Sequence, residues 1–104
     1  AVAKLGGRYL PPSPPPGADE AIEEVAHHLR DVRPAGPHLT VVLTRTGSAQ
    51  TVGIGLDRTG WPEIVGTVAG DDTVFVATAG ARDQTRILHR LRSLMAGGAS
   101  ESPR

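Results

Sequence analysis

Two adjacent carboxylates, Asp71 and Asp72, are the groups in this 104-residue chain best suited to binding chemistry. They follow Gly70 and lie between two β-branched runs at residues 64–69 and 73–76, a pattern that predicts two strands joined by a tight turn. Aspartate is common in such turns because its side chain caps the local backbone, so one interpretation is an ordinary solvated turn. The other is a cation site, because neighbouring carboxylates repel each other until a guanidinium, an ammonium or a metal ion neutralises them.

Gln50 and Asp57 supply a second group of polar atoms. Both fall on a helix predicted over residues 48–59, with Ser48 as its N-cap and Gly60 at its C-terminal cap. The positions predicted to face the core recur every three or four residues: Ala49, Val52, Gly53 and Leu56. Gln50, Ile54 and Asp57 share another face, which is either an ordinary exposed surface or a polar wall opposite the acidic turn.

The elements that hold these groups are predicted from hydrophobic periodicity. Residues 39–44 form a clear strand pattern after a turn over residues 34–37. Residues 18–33 are ambiguous between helix and strand. We predict one or two helical turns from about residue 19, and then a strand over about residues 26–33 that forms a hairpin with the next strand.

The last helix is predicted over residues 82–95. Its apolar residues recur on one face: Ile87, Leu88, Leu91, Leu94 and Met95. Its four arginines, which we interpret as a solvated face rather than a DNA contact, are Arg82, Arg86, Arg90 and Arg92. The whole pattern predicts an α+β two-layer sandwich in the order β-β-α-β-β-α, with a four-stranded antiparallel sheet and two helices on one face.

Three regions of the chain are expected. Residues 1–17 end in a proline-rich segment with five prolines in its last seven residues, which predicts a linker after an absent N-terminal domain. Residues 18–96 are the folded domain. Residues 97–104 are polar and are expected to form a disordered tail.

Composition argues against several functions. Lys plus Arg and Asp plus Glu both number 11, so the chain alone lacks the basic excess with which proteins grip DNA. There is no cysteine, which excludes disulfides and thiolate metal sites. No apolar run reaches membrane-spanning length. Phosphate-binding loops, nucleophile elbows and zinc-ligand spacings are absent, so we predict no catalytic residues and no metal site.

Three carboxylates and one amide remain as candidate ligand contacts: Asp57, Asp71, Asp72 and Gln50. Their complement is a cationic small molecule with a second polar end. Free arginine fits, because its guanidinium takes paired hydrogen bonds from a carboxylate and its ammonium needs another acid. Its carboxylate needs donors, which Gln50 or backbone amides can supply.

The sequence around the acidic turn also carries a family resemblance. WPEIVGTVAGDDTVFV, at residues 61–76, resembles the signature of the C-terminal domain of bacterial arginine repressors. GSAQ at residues 47–50 and the pair Leu56-Asp57 lie at the spacing of that family. The resemblance spans roughly residues 39–94, which is more than half of the chain.

The resemblance implies a cytoplasmic transcription regulator of arginine biosynthesis or catabolism that is not an enzyme and needs no cofactor. In that family the domain forms trimers, two trimers stack into a hexamer, and the co-repressor L-arginine lies between them. Operator DNA would be bound by a winged-helix domain that this chain lacks, and no membrane is involved. Carried over to this sequence, the arginine site consists of Ala49, Gln50, Asp57, Thr67, Ala69, Gly70, Asp71 and Asp72.

Other functions stay open at this stage. In a ligand-independent assembly module, Asp71 and Asp72 would only shape the turn. A small enzyme similar to pterin carbinolamine dehydratases would use the pair His27-His28, although adjacent side chains in a strand point to opposite faces. A regulator of the same fold that senses ornithine or a metal ion is a further alternative.

Overall fold

The computed structural model of the chain describes residues 15–97. Three helices and four strands follow one another within them: α1 Ala18–His28, β1 Leu29–Pro34, β2 Leu39–Thr44, α2 Ala49–Arg58, β3 Ile64–Ala69, β4 Thr73–Thr78 and α3 Ala81–Met95. The predicted α+β class with a four-stranded antiparallel sheet is confirmed. Most of the predicted linker and the predicted tail lie outside the described residues, and the division into regions stays a prediction.

The sheet has the strand order β1-β2-β4-β3, and every neighbouring pair is antiparallel. Residues alternate along each strand between a buried face and an open face. The buried face carries Val32, Thr40, Val42, Thr44, Val74, Val76 and Thr78. The helices cover this face: α2 packs against β3 and β4, α3 packs against β1, and α1 packs against α2. The core between the two layers includes Val25, Val52, Leu56, Ile87 and Leu91, all at most 1% exposed.

The open face of the sheet is apolar along its centre. Val41 on β2 pairs with Phe75 on β4, which in turn pairs with Val68 on β3, so these three side chains form a row across the sheet. Phe75 is 48% exposed and Val68 is 72% exposed. No helix among residues 15–97 packs on this face, which leaves an apolar surface available for association.

Helix α1 is longer than predicted, and it corrects the sequence analysis. It runs for 11 residues to His28, so the prediction of a strand from residue 26 is wrong for residues 26–28, and β1 begins at Leu29. Helix α1 is stabilised by burial of one apolar stripe, in which Ala21 is 7% exposed and Val25 is fully buried. The predicted hairpin of the first two strands is confirmed.

Two glycines allow α2 to approach its neighbours closely. A Cβ atom at Gly55 would lie 2.6 Å from Cγ2 of Val25 and 3.3 Å from the carbonyl oxygen of Ala21, so the glycine lets α1 pack directly on α2. A Cβ atom at Gly53 would lie 3.3 Å from Cβ of Ala69 on β3. Gly53 was predicted to face the core, whereas periodicity offered no reason for Gly55.

Replacing Gly55 with alanine should destabilise the fold, although alanine is the better helix former by about 1 kcal/mol. The added methyl group overlaps Val25, whose β-branched side chain has one strongly preferred rotamer in a helix. Overpacking of this kind costs about 1–3 kcal/mol, so after the gain in helix propensity we expect a net loss of up to about 2 kcal/mol in urea denaturation.

The Val25→Ala background is the matched control, because it removes Cγ2 of Val25, the atom nearest to the new methyl group. In that background Gly55→Ala should cost nothing or should stabilise the protein. Stabilisation by Gly55→Ala in the wild-type background would contradict the close packing of α1 on α2.

Candidate ligand site at the acidic turn

The backbone alone fixes the acidic turn in place. The Gly70 N–H donates to the Thr73 carbonyl at 2.8 Å and closes the hairpin. The Asp71 carbonyl accepts from the Ala49 N–H at 3.1 Å, and the Asp72 carbonyl accepts from the Thr44 N–H at 2.9 Å. Main-chain hydrogen bonds therefore attach the turn to the first residue of α2 and to the last residue of β2.

The two carboxylates contribute little to holding this turn. Asp72 Oδ1 accepts a hydrogen bond from the Thr73 hydroxyl at 3.0 Å. The Asp71 side chain is exposed and has no hydrogen-bond or ion-pair partner among residues 15–97. Neither carboxylate accepts from a backbone N–H in this range, which is the capping role that usually explains aspartate in turns. The turn therefore presents two carboxylates that its own geometry does not require.

The exposed face of α2 contacts β3 beside this turn. The Thr67 hydroxyl donates to Asp57 Oδ1 at 3.0 Å. Gln50 Nε2 donates to the Ala69 carbonyl at 3.3 Å. Between these two contacts lies Ile54, which is 52% exposed. The polar side chains of this face, Gln50 and Asp57, thus both contact the strand that leads into the turn.

Strand β3 is a free edge of the sheet, and two of its residues direct main-chain groups outward. Main-chain hydrogen bonds of β4 alternate between its two neighbouring strands. Because the Thr78 N–H donates to the His38 carbonyl on the β2 side, the even-numbered residues of β4 bond to β2 and the odd-numbered residues bond to β3. Thr67 and Ala69 lie opposite even-numbered residues of β4, so their N–H and C=O groups point away from the sheet. The Gln50 side chain occupies one of these groups, the Ala69 carbonyl.

The N-terminus of α2 adds further donors at the same place. Ser48 precedes the helix, as predicted, but its side chain makes no capping hydrogen bond. The N–H groups of Gln50 and Thr51 have no partner among residues 15–97. The first N–H groups of a helix carry the positive end of its dipole, so this end of α2 favours an anionic group. Acceptors for a cation and donors for an anion therefore lie side by side.

The structure brings the eight predicted site residues to one place, where α2 meets the β3–β4 hairpin. Three contacts join the two parts: Ala49 to Asp71, Gln50 to Ala69, and Asp57 to Thr67. Ala49 is fully buried and contributes its N–H rather than its side chain. Gln50, Asp57, Gly70 and Asp71 are exposed, so the site is an open surface rather than an enclosed pocket.

The outward-facing main chain of Thr67 and Ala69, a source of hydrogen bonds, was not predicted from the sequence. The length of the turn could have revealed it, because the two residues between Gly70 and Thr73 determine which residues of β3 bond to β4 and which face outward. The pair His27-His28 lies at the end of α1 rather than on a strand, with ring centroids 5.8 Å apart. The argument that the two rings point to opposite faces of a strand therefore does not apply.

Metal clusters and membrane-spanning helices are both absent from the described residues. Residues 15–97 contain no group of three or more His, Cys, Asp or Glu side chains placed to hold a metal ion. In the same range, no helix is both long enough and apolar enough to cross a membrane.

Comparison with known proteins places the chain in a family. A family model described as the arginine repressor, C-terminal domain, matches residues 20–93. The chain is 46% identical over 93 residues to an arginine repressor of Desulforudis audaxviator, a match covering 86% of this chain and 61% of the relative. It is 43% identical over 81 residues to an arginine repressor of Koribacter versatilis, covering 78% and 52%. It is 37% identical over 92 residues to one from Symbiobacterium thermophilum, covering 86% and 61%.

The chain therefore belongs to the arginine repressor C-terminal domain family, which confirms the resemblance. The match covers residues 20–93, so it includes most of α1 and all of β1 as well as residues 39–93 of the predicted range 39–94. The relatives are named repressors, which are regulators and not enzymes, and the prediction of a non-enzyme is confirmed. The chain spans about half to three fifths of the length of these relatives.

The two interpretations of the acidic turn, an ordinary solvated turn and a cation site, can be tested by neutralising its carboxylates. Without ligand, Asp71→Asn and Asp72→Asn should each change the unfolding free energy by less than about 0.5 kcal/mol, because the backbone holds the turn and an asparagine oxygen can still accept from Thr73. Urea denaturation of both variants measures this. A loss above about 1 kcal/mol would instead show that the acids are structural caps.

Proposed function

We propose that this domain is the L-arginine-sensing and assembly part of a cytoplasmic transcriptional repressor that controls arginine metabolism. The observation that carries the proposal is a pair of carboxylates with unused acceptor atoms on a turn held by its backbone, beside unused main-chain donors. Membership of the arginine repressor family supports arginine, rather than ornithine or a metal ion, as the ligand. Arginine acts here as a co-repressor, and no cofactor is needed.

The guanidinium of arginine pairs with the acidic turn. Its planar fork of N–H groups matches a carboxylate in two parallel hydrogen bonds, and charge-assisted bonds of this kind are about twice as strong as neutral ones. Asp71 has no competing partner, and Asp72 uses one oxygen for Thr73, which leaves acceptor atoms for the ligand. Binding removes the repulsion between the two carboxylates.

The amino-acid end of arginine lies against α2 and β3. Its ammonium group pairs with Asp57 or with the free Thr67 carbonyl, and the Thr67 hydroxyl orients the Asp57 carboxylate. Its carboxylate accepts from the free N–H groups at the start of α2. Among the eight residues named from the family resemblance, these contacts use Gln50, Asp57, Thr67, Asp71 and Asp72.

An open site explains why arginine would control assembly. Four of the eight residues are exposed, so a ligand bound to one copy keeps an uncovered side for a second copy. In stacked trimers, six acidic turns facing each other would repel, and arginine would replace the repulsion by charge-paired hydrogen bonds. Ligand affinity and assembly are then linked, and each strengthens the other.

The apolar open face of the sheet supports association within a trimer. In the row Val41, Phe75 and Val68, Phe75 and Val68 stay exposed in a single chain, and burial of apolar surface drives most protein association. Arginine then acts between trimers and not within them. Operator DNA is bound by a part of the repressor outside this chain, because the relatives are longer and this chain has no net charge.

The test is the native mass of the chain by light scattering, with and without millimolar L-arginine. We expect the mass to rise from trimer towards hexamer in the wild type, because the ligand neutralises the facing acids. Asp72→Asn should abolish the response. Glu23→Gln is the matched control, since it removes an exposed carboxylate from α1 away from the site, and it should respond like the wild type.

Other outcomes identify the rival functions. A wild-type mass that arginine leaves unchanged would contradict the sensor. A fixed oligomer in every condition would indicate a ligand-independent assembly module, and a response to ornithine or a divalent cation alone would indicate a different ligand.

A further inference from the structure

The charges of this neutral chain are separated onto two helices. Helix α1 carries four acids, Asp19, Glu20, Glu23 and Glu24, and no Lys or Arg. Helix α3 carries four arginines, Arg82, Arg86, Arg90 and Arg92, against the single acid Asp83. Both helices belong to the layer that covers the buried face of the sheet, so the surface has an acidic region and a basic region.

These two regions do not neutralise each other within one chain. No ion pair between α1 and α3 exists among residues 15–97. Arg90 is occupied, because it lies 3.4 Å from Glu63 and 5.0 Å from the centre of the Trp61 ring. Arg82 and Arg86, by contrast, are exposed and have no ion-pair partner in this range.

A groove of about 440 Å³ between α1 and α2 has the chemistry to receive an arginine side chain. Glu20 and Glu24 line it from α1, and Arg58 lines it from α2. Glu20 has no partner among residues 15–97, whereas Glu24 lies 3.3 Å from Nε2 of His28. Ala21, Gly55 and Ile54 supply apolar surface. Gly55 contributes only backbone to the groove, because α1 packs directly against this position. Arginine side chains bury their methylene stems on such surfaces while the guanidinium reaches a carboxylate.

We propose that Arg82 and Arg86 of α3 dock into the α1–α2 groove of a neighbouring copy and pair with Glu20 and Glu24. This inference rests on the proposed self-assembly and names a contact for it. Both pairs are spaced i, i+4, and four residues of helix rise about 6 Å, so two ion pairs form together. The groove shares Ile54 with the exposed face of α2, and so adjoins the candidate arginine site.

A second copy fits these observations better than DNA does. A neutral surface with separated charges is complementary to itself, whereas the acids of α1 and of the ligand site would repel phosphates. The basic face of α3 therefore has its complement on the same protein.

The contact is tested by reversing the charges on one side and then exchanging the charges on both sides, which restores opposite charges across the contact. Arg82→Glu with Arg86→Glu, and separately Glu20→Arg with Glu24→Arg, should each raise the dissociation constant of the assembly at least about tenfold by light scattering. The variant that combines all four changes, and an equimolar mixture of the two double variants, should restore the wild-type mass because each acidic face again meets a basic one. Asp19→Arg with Glu23→Arg is the matched control and should leave the mass unchanged.

Three outcomes would overturn the contact: a wild-type mass in either double variant, no recovery when the charges are exchanged, or loss of assembly in the control. DNA is the remaining candidate partner, and anisotropy of a labelled duplex tests it. Duplex binding that requires Arg82 and Arg86, without any change in mass, would assign α3 to nucleic acid instead.

Calorimetry of L-arginine binding distinguishes a failure of the groove contact from a failure of the sensor, because the ligand residues are intact in every variant. Arginine binding without the mass changes contradicts only the groove contact, and absence of arginine binding contradicts the sensor.

Discussion

The hydrogen bond from the Ala49 N–H to the Asp71 carbonyl, 3.1 Å long, is the contact on which the candidate site depends. It joins the first turn of α2 to the tip of the hairpin, two parts of the chain that are 22 residues apart by the numbering of the two partners. Through it, the positive end of the α2 dipole and two carboxylates are held beside each other. Because the bond uses only main-chain atoms, it leaves the side chains of the turn available for a ligand.

The two edges of the sheet differ in a way that suits this arrangement. At the β1 edge Arg33 lies 3.0 Å from Asp31, and this hydrogen bond, aided by the Val32 N–H, lowers the pKa of the Asp31 carboxyl. The pair therefore stays charged at neutral pH, and charged residues on an edge strand discourage pairing with another sheet. Strand β3 has no charged residue, and its outward main-chain groups lie next to the acidic turn. A polar ligand on this edge would form hydrogen bonds with main-chain groups that could otherwise pair with another strand.

Local signals predicted the parts of the fold that neighbouring residues determine. The hairpin around Asp71 and Asp72 followed from β-branched runs on either side of a Gly-Asp turn, and the end of α2 followed from Gly60, whose φ of 75° is the left-handed cap conformation. The spacing of Gln50 and Asp57 placed both on one face of α2, where both contact β3. For these residues, sequence periodicity and structure agree.

Contacts between distant residues account for what the sequence left undetermined. The length of α1 depends on the burial of Val25 against Gly55, thirty positions away in the numbering, and no local pattern reports that contact. The apolar strands predicted the sheet but not which face the helices leave open, because β2 and β4 are apolar on both faces. The groove between α1 and α2 arises from the same packing of the two helices, and the hydrophobic periodicity of one helix does not report its contacts with the other.

The central claim is that the acidic turn recognises the positive charge of a guanidinium. Calorimetric titration of the chain with L-arginine and with L-citrulline tests it most directly, because citrulline keeps the shape and the amino-acid end of arginine but replaces the guanidinium by a neutral urea group. The account predicts that L-arginine binds with about one molecule per chain at saturation and that L-citrulline binds at least about a hundredfold more weakly, as expected when buried charge-assisted hydrogen bonds are lost. Equal binding of both ligands, or binding of neither, would contradict it.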